Sequence, residues 1–134
     1  PKARQKLRAA IKNGLSFEKT DDLHTVYEII RKNRQYRGFP LWMSQKEIEN
    51  THSVVNMDFF LVRNFHQTPV ASALVYHIND TVLRVIYWGN TPESENLRPM
   101  NFLAYHVFKF YSDSQFQVID IGHRLCLFSK IYYG

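Results

Sequence analysis

Val118-Ile119-Asp120-Ile121-Gly122 is the stretch on which the reading of this chain turns. Three β-branched apolar residues surround one carboxylate, and a glycine closes the run. The composition predicts a short buried strand, because β-branched side chains suit a pleated, covered surface. A carboxylate within it needs a partner, since burying one alone is costly. Held at a strand's carboxyl end, beside a glycine that lets another chain or ligand come close, such an acid often belongs to a site.

Upstream of that stretch, Pro99 suits the first turn of a helix over 99–111, with Met100, Leu103, Val107 and Phe110 on one side. Before the helix come three runs rich in β-branched and aromatic residues, at 58–65, 70–78 and 82–88. His66-Gln67-Thr68-Pro69 and Asn79-Asp80-Thr81 separate them, and such short connections make an antiparallel meander. Downstream, strands are expected over 116–121 and 125–133.

The N-terminal third is helical in pattern. Residues 3–13 form helix-favouring sequence with Leu7 and Ile11 one turn apart, stopped by Gly14, and 15–18 reads as a short strand. Thr20 or Asp21 can cap a second helix whose face is Leu23, Val26, Tyr27, Ile30 and Asn33, closing near Gly38-Phe39-Pro40. Ser44-Gln45-Lys46-Glu47 is a capping box that opens a third. Gly14, Gly38, Gly89 and Gly122 all fall at expected element ends, so independent local signals agree. The order is α-β-α-α-β-β-β-α-β-β, an α/β or α+β arrangement with a mixed sheet flanked by helices.

A chain of 134 residues makes one domain with a real core, and 45% hydrophobic content excludes a disordered chain. A single cysteine, Cys126, makes no internal disulfide, and no apolar run reaches the ~18 residues of a membrane span. These features favour a cytoplasmic location. The net charge of +5 is unevenly placed, because residues 1–14 hold Lys2, Arg4, Lys6, Arg8 and Lys12 with no acid. A basic helix of that kind is either a solvated face or a contact for phosphate-bearing partners or an acidic inner-membrane surface.

Metal and nucleophile chemistry find little support. His24, His52, His66, His77, His106 and His123 show no metal-ligand spacing, and one cysteine makes no zinc knuckle. Cys126 lies in an apolar pattern, where a free cysteine is usually a small buried hydrophobe. No nucleophile-elbow, Walker or dinucleotide-binding glycine motif is present. The basic and aromatic residues 31–39 have no RNA-binding strand motif beside them.

The meander-helix-strand order resembles the GNAT acyltransferase fold, in which the strand after the helix splays away and leaves a cleft for an acyl donor and an amine. The usual glycine-bearing acyl-CoA signature is missing, since 88–99 reads Trp-Gly-Asn-Thr-Pro-Glu-Ser-Glu-Asn-Leu-Arg-Pro. That departure is similar to the FemAB-like branch, the peptidoglycan-bridge aminoacyltransferases and their relatives. Ala3-Arg4-Gln5-Lys6-Leu7-Arg8-Ala9-Ala10-Ile11-Lys12-Asn13-Gly14-Leu15 resembles the family's basic helix, and Leu97-Arg98-Pro99-Met100-Asn101-Phe102-Leu103 its loop-to-helix junction. Val118-Ile119-Asp120-Ile121-Gly122 resembles its D-x-G strand, and Leu125-Cys126-Leu127-Phe128-Ser129-Lys130 its closing segment.

The resemblance implies a GNAT-like domain over 15–134 behind a connecting helix over 1–14, as the C-terminal half of a longer protein whose sequence here opens on Pro1 without methionine. It implies N-acyl or aminoacyl transfer to an amine of an envelope precursor, with acyl-CoA or aminoacyl-tRNA as donor and no metal. An acyl-CoA acetyltransferase of a sugar or small-molecule amine, and a non-catalytic binding domain, stand as alternatives. Asp120 would orient the amine, or else pair with a base such as Arg98. Lys130 would sit near the donor carbonyl or a tRNA 3′ end, or else be a strand-end surface lysine. Tyr87, Trp88 and Asn90 would line the cleft, although neighbours on a strand face opposite sides and one of Tyr87 and Trp88 is then core. Arg98 and Asn101 at the helix start would bind substrate. Arg37 would contact acceptor phosphates, or else complement the helix dipole. The family's flexible glycine-bearing stretch shrinks here to His123-Arg124, so either the loop is truly shortened or, the favoured reading, residues are omitted at that junction.

Overall fold

The computed structural model describes residues 2–131. It contains four helices, α1 (Lys2–Lys12), α2 (Leu23–Arg37), α3 (Gln45–His52) and α4 (Pro99–Tyr111). Six strands, β1 (Ser16–Thr20), β2 (Met57–Arg63), β3 (Pro69–His77), β4 (Val82–Asn90), β5 (Val118–Asp120) and β6 (Leu125–Leu127), form one sheet in chain order. Every neighbouring pair is antiparallel except β4 and β5, which run parallel across the α4 connection. This is the expected mixed, mostly antiparallel sheet and the expected order of elements. Two 3-10 turns, Pro92–Leu97 and Phe128–Lys130, are additions to it.

The sheet is covered on both faces because its central strands are apolar on both. Phe60, Val62, Ala73, Val75, Leu83 and Val85 face α4 and α1, meeting Leu103 and Val107. Phe59, Leu61, Leu74 and Tyr87 face α2 and α3, meeting Val26, Ile30 and Ile48. Of the expected face of α2, Leu23, Val26, Ile30 and Asn33 are buried and Tyr27 is half-buried, while Ile29, outside that face, is buried too. In α4 the buried set is Pro99, Phe102, Leu103, Val107 and Tyr111, whereas of the predicted face Met100 is half-buried and Phe110 exposed.

Several boundaries shift for local reasons. Asp22, rather than Thr20 or Asp21, caps α2, its side chain accepting from the Thr25 amide. Gly38, in left-handed conformation, closes that helix with its N–H on Arg34 and Gln35 carbonyls, and the Ser44–Glu47 capping box opens α3 as the sequence predicts. Strand β6 ends at Leu127 in a 3-10 turn, short of the expected 125–133, and residues 132–133 of that expectation lie outside the described residues. Gly89 sits inside β4 instead of ending an element. A Cβ there would stand 2.6 Å from Asn33 Cγ, so the bare backbone is what lets α2 approach the strand.

At the end of the sheet where β2 begins and β3 finishes, Asp58 gathers a polar cluster. Tyr111 Oη donates to Asp58 Oδ2 at 2.5 Å, His77 Nε2 lies 2.7 Å from the same oxygen, and Lys19 Nζ is 3.6 Å from Oδ1. Burial raises the carboxyl's pKa, but hydrogen bonds from Tyr111 and His77 and the charges of His77 and Lys19 outweigh it, leaving it below the usual value. Burial and the neighbouring carboxylate push the Tyr111 phenol far up, so it stays a donor. This cluster clamps the C-terminal end of α4 to the sheet.

Candidate active-site cleft

Strands β4 and β5 pair over three positions only, Val82 with Val118, Leu83 with Ile119 and Arg84 with Asp120. Beyond them β4 bulges: Leu74 faces Tyr87 and Val75 faces Val85, so Ile86 is the extra residue. The bulge bends β4 away just where β5 ends. From Val85 onward, the β5-facing edge of β4 has no strand partner among the described residues. A cavity of about 400 Å³ opens there, walled by residues 84–88 of β4, Ile121 and Gly122 after β5, and Arg34 and Trp42 from the helical layer.

The helical layer places its two contributions firmly. Arg34 lies one turn beyond Ile30 on α2, and its guanidinium sits over the Tyr87 ring, 5.2 Å from the centroid. Trp42 is 79% exposed in the loop between α2 and α3. Its neighbour Met43 is the anchor: Tyr27 Oη donates to the Met43 carbonyl at 2.8 Å, and Tyr76 Oη donates to its sulfur at 3.5 Å. Burial raises both phenol pKa values, which keeps the two tyrosines protonated as donors.

Asp120 is less buried than its apolar neighbours suggested. Its side chain is 27% exposed, Oδ1 accepts from the Gly122 amide at 2.8 Å, and Oδ2 lies 3.8 Å from Arg84 Nε. Its cationic neighbour is therefore Arg84, aligned with it by the parallel register, and not Arg98. The residues after it form a closed turn, in which Ile121 N–H donates to the Arg124 carbonyl and Gly122 takes φ 100°.

The remaining predicted residues separate. Tyr87 and Trp88 both wall the cleft, with Tyr87 in the core on the α2 side and Trp88 packed on the α4 side. Asn101 faces a different hollow, between α1 and α4, which Trp88 also touches. Asn90 is buried and structural: its carbonyl accepts from Asn33 Nδ2 at 3.0 Å, and its amide donates to the Thr91 carbonyl. Arg37 lies over the Phe39 ring, outside the cleft walls. Arg98 caps α4 in left-handed conformation, and Lys130 is exposed in the last 3-10 turn. Neither is among the residues that wall the cleft, and Asp120 itself stands just behind that wall, between Arg84 and Gly122, which do line it.

Sequence reasoning missed Arg34, Trp42 and Arg84. Arg34 had a signal, since it follows Tyr27 by seven residues and Ile30 by four, the spacing of the sheet-facing stripe. Trp42, in an irregular loop, and Arg84, whose role depends on strand register, had none.

The turn into α4 is held closed by its own hydrogen bonds. Thr91 N–H donates to the Val70 carbonyl, and Ser94 Oγ bonds the Val70 and Thr91 carbonyls, so the loop is tied to β3. No glycine opens it, and Glu93 and Glu95 add negative charge. Among the described residues no group of three or more His, Cys, Asp or Glu side chains is arranged to hold a metal ion.

No protein-family model matches the sequence, and no curated protein matches it significantly. Solved structures do. FemX superposes with a TM-score of 0.71 at 14% identity, over 82% of this chain and 44% of FemX. An acetyltransferase of the GNAT family from Staphylococcus aureus Mu50 gives 0.63 at 16% identity, over 79% and 71% of the two chains. A spermidine N-acetyltransferase from Vibrio cholerae, in complex with CoA and spermine, gives 0.58 at 16% identity, over 78% and 68%. The chain therefore has the GNAT-like fold, and it spans less than half the length of FemX.

Proposed function

We propose that this chain, built on the fold shared by FemX and the GNAT acetyltransferases, is an N-acyltransferase domain that moves an activated acyl group onto the amine of an anionic acceptor such as a cell-envelope precursor. The observation that carries the reading is the parting of β4 and β5 beyond Arg84 and Asp120, which leaves the edge of β4 facing a cavity. Unpaired strand amides there can hold the donor and stabilise the oxyanion that forms on its carbonyl. The amine nitrogen attacks the acyl carbon, the C–N bond forms as the ester or thioester bond breaks, and the amine's proton ends on the departing hydroxyl or thiol. Trp42, Tyr87 and Trp88 keep water from the activated acyl group. Asp120, held by Gly122 and Arg84, orients the amine.

Arg34 and Arg84 make this wall cationic, which supports an acceptor carrying carboxylate or phosphate near its amine. A polyamine would be repelled. The tied loop with Glu93 and Glu95 offers no backbone cradle for a pyrophosphate, which favours an aminoacyl ester over acyl-CoA as donor. Acyl-CoA is the second reading, because a GNAT-fold neighbour is seen with CoA.

Transfer by the full-length protein, followed by mass spectrometry of the acceptor, tests the proposal. Asp120→Asn should lower kcat at least tenfold, whereas Lys130→Ala, outside the cleft wall, should leave transfer near that of the parent. Unchanged transfer by Asp120→Asn would overturn the assignment of the site.

A further inference from the structure

The face opposite α2 and α3 is built from α1 and α4, and it holds the chain's excess charge. Lys2, Arg4, Lys6, Arg8, Lys12 and Lys109 stand on these two helices, and neither helix contributes an acid. With 17 basic and 12 acidic residues in all, the rest of the chain is close to neutral. Between the helices runs a groove of about 600 Å³. Its walls are aliphatic and aromatic, among them Leu7, Met100, Ala104 and Phe108 with Trp88, while exposed Arg4 and Arg8 add charge to its lining. Ile11, also on the groove, is 58% exposed. Phe65, 75% exposed at the β2–β3 turn, stands next to Gly14 at the end of α1.

An apolar trough bordered by cations and flanked by exposed Ile11 and Phe65 matches one chemistry: a hydrocarbon tail with an anionic head. A nucleic acid would meet the charge and could stack on Trp88 or Phe108, but the aliphatic stretch of Leu7, Ile11, Met100 and Ala104 gives a polar backbone nothing to bond and suits a hydrocarbon chain better. We propose that the α1/α4 face docks on an anionic bilayer, with the groove receiving an acyl chain of an anionic phospholipid. The docking is independent of the transfer chemistry.

Trp42→Phe leaves Trp88 as the only tryptophan, because the chain has two. The purified chain is mixed with neutral phosphatidylcholine vesicles, or with vesicles containing phosphatidylglycerol whose acyl chains are brominated. Binding is read by co-sedimentation and by Trp88 fluorescence. The expected result is binding to the anionic vesicles alone, quenching of Trp88 by bromine, and loss of most binding near 1 M salt, where screening falls to about 3 Å. The double variant Lys6→Glu, Arg8→Glu should weaken binding by roughly tenfold or more, since each basic residue near such a surface is worth about fivefold. If that variant does not fold, the salt series on the unaltered charges decides.

Absence of binding to anionic vesicles at low salt would overturn the proposal. So would binding that leaves Trp88 unquenched, or tighter binding to RNA than to the vesicles. None of these outcomes depends on acyl transfer, so a failure here is distinct from a failure of the transferase reading.

Discussion

Gly89→Ala tests whether the close contact of α2 with β4 holds the cleft together. An added Cβ would meet Asn33 Cγ at 2.6 Å, Oδ1 at 2.7 Å and Cβ at 3.0 Å. Asn33 is only 7% exposed and has little room to move aside. It must swing out of its hydrogen bond to the Asn90 carbonyl, or α2 must lift. Overpacking costs about 1–3 kcal/mol, and leaving a buried hydrogen-bonding group unpaired costs about 1–3 kcal/mol more. Alanine returns about 0.4–1 kcal/mol by restricting the unfolded chain. The net expectation is a destabilisation of about 2–4 kcal/mol in urea unfolding. Asn33→Ala alone should cost about 1–3 kcal/mol for the lost bond. In that background Gly89→Ala should cost only about 1 kcal/mol, because the colliding amide is gone and only the Cβ contact at 3.0 Å remains, which gives a coupling of about 2 kcal/mol in the double-mutant cycle. Additive effects, or a Gly89→Ala variant as stable as the parent, would refute the reasoning.

The Asp58 cluster sets an acid-side stability limit. Its carboxyl titrates below the usual 3.8 in the folded chain, so its contribution is fully present above that unfolded value and is lost as pH falls through the folded one. Asp58→Asn should flatten that part of a stability–pH profile, and Tyr111→Phe should cost about 1.5–3 kcal/mol at neutral pH by removing a bond to a charged group. Arg34→Gln should raise KM for an anionic acceptor at least tenfold, while stability changes by only the ~0.5–1 kcal/mol of an exposed cation–π contact. A matching rise in KM for a neutral amine would show that Arg34 acts by packing instead.

The fold was legible because its signals are local and agree. Gly38 and the Ser44–Glu47 box mark helix ends through backbone geometry, and the β-branched runs from Met57 to Asn90 mark strands through their period. The site was less legible because it depends on register. Asp120 drew notice from its apolar neighbours, yet its partner Arg84 follows only from the parallel pairing of β4 with β5, which no local pattern specifies. The bulge at Ile86 is a property of two strands together, and Gly89 looked like a strand end because nothing in sequence announces that Asn33, 56 positions earlier, packs on it. Arg37 stands out in sequence because a helix-terminal cation is conspicuous, whereas Arg34 emerges only when the helical stripe is extended one turn.

The free edge of β4 as the acyl-donor site is the central claim, and backbone amide NMR tests it most directly. The ¹⁵N-labelled chain is titrated with a non-hydrolysable amide analogue of an aminoacylated adenosine, and separately with a thioether analogue of acetyl-CoA. The account predicts shifts concentrated at residues 85–88 and at Ile121 and Gly122 with at least one of them, and little change in β1, three strands away at the opposite edge of the sheet. Saturable shifts centred elsewhere, or none with either donor analogue, would contradict it.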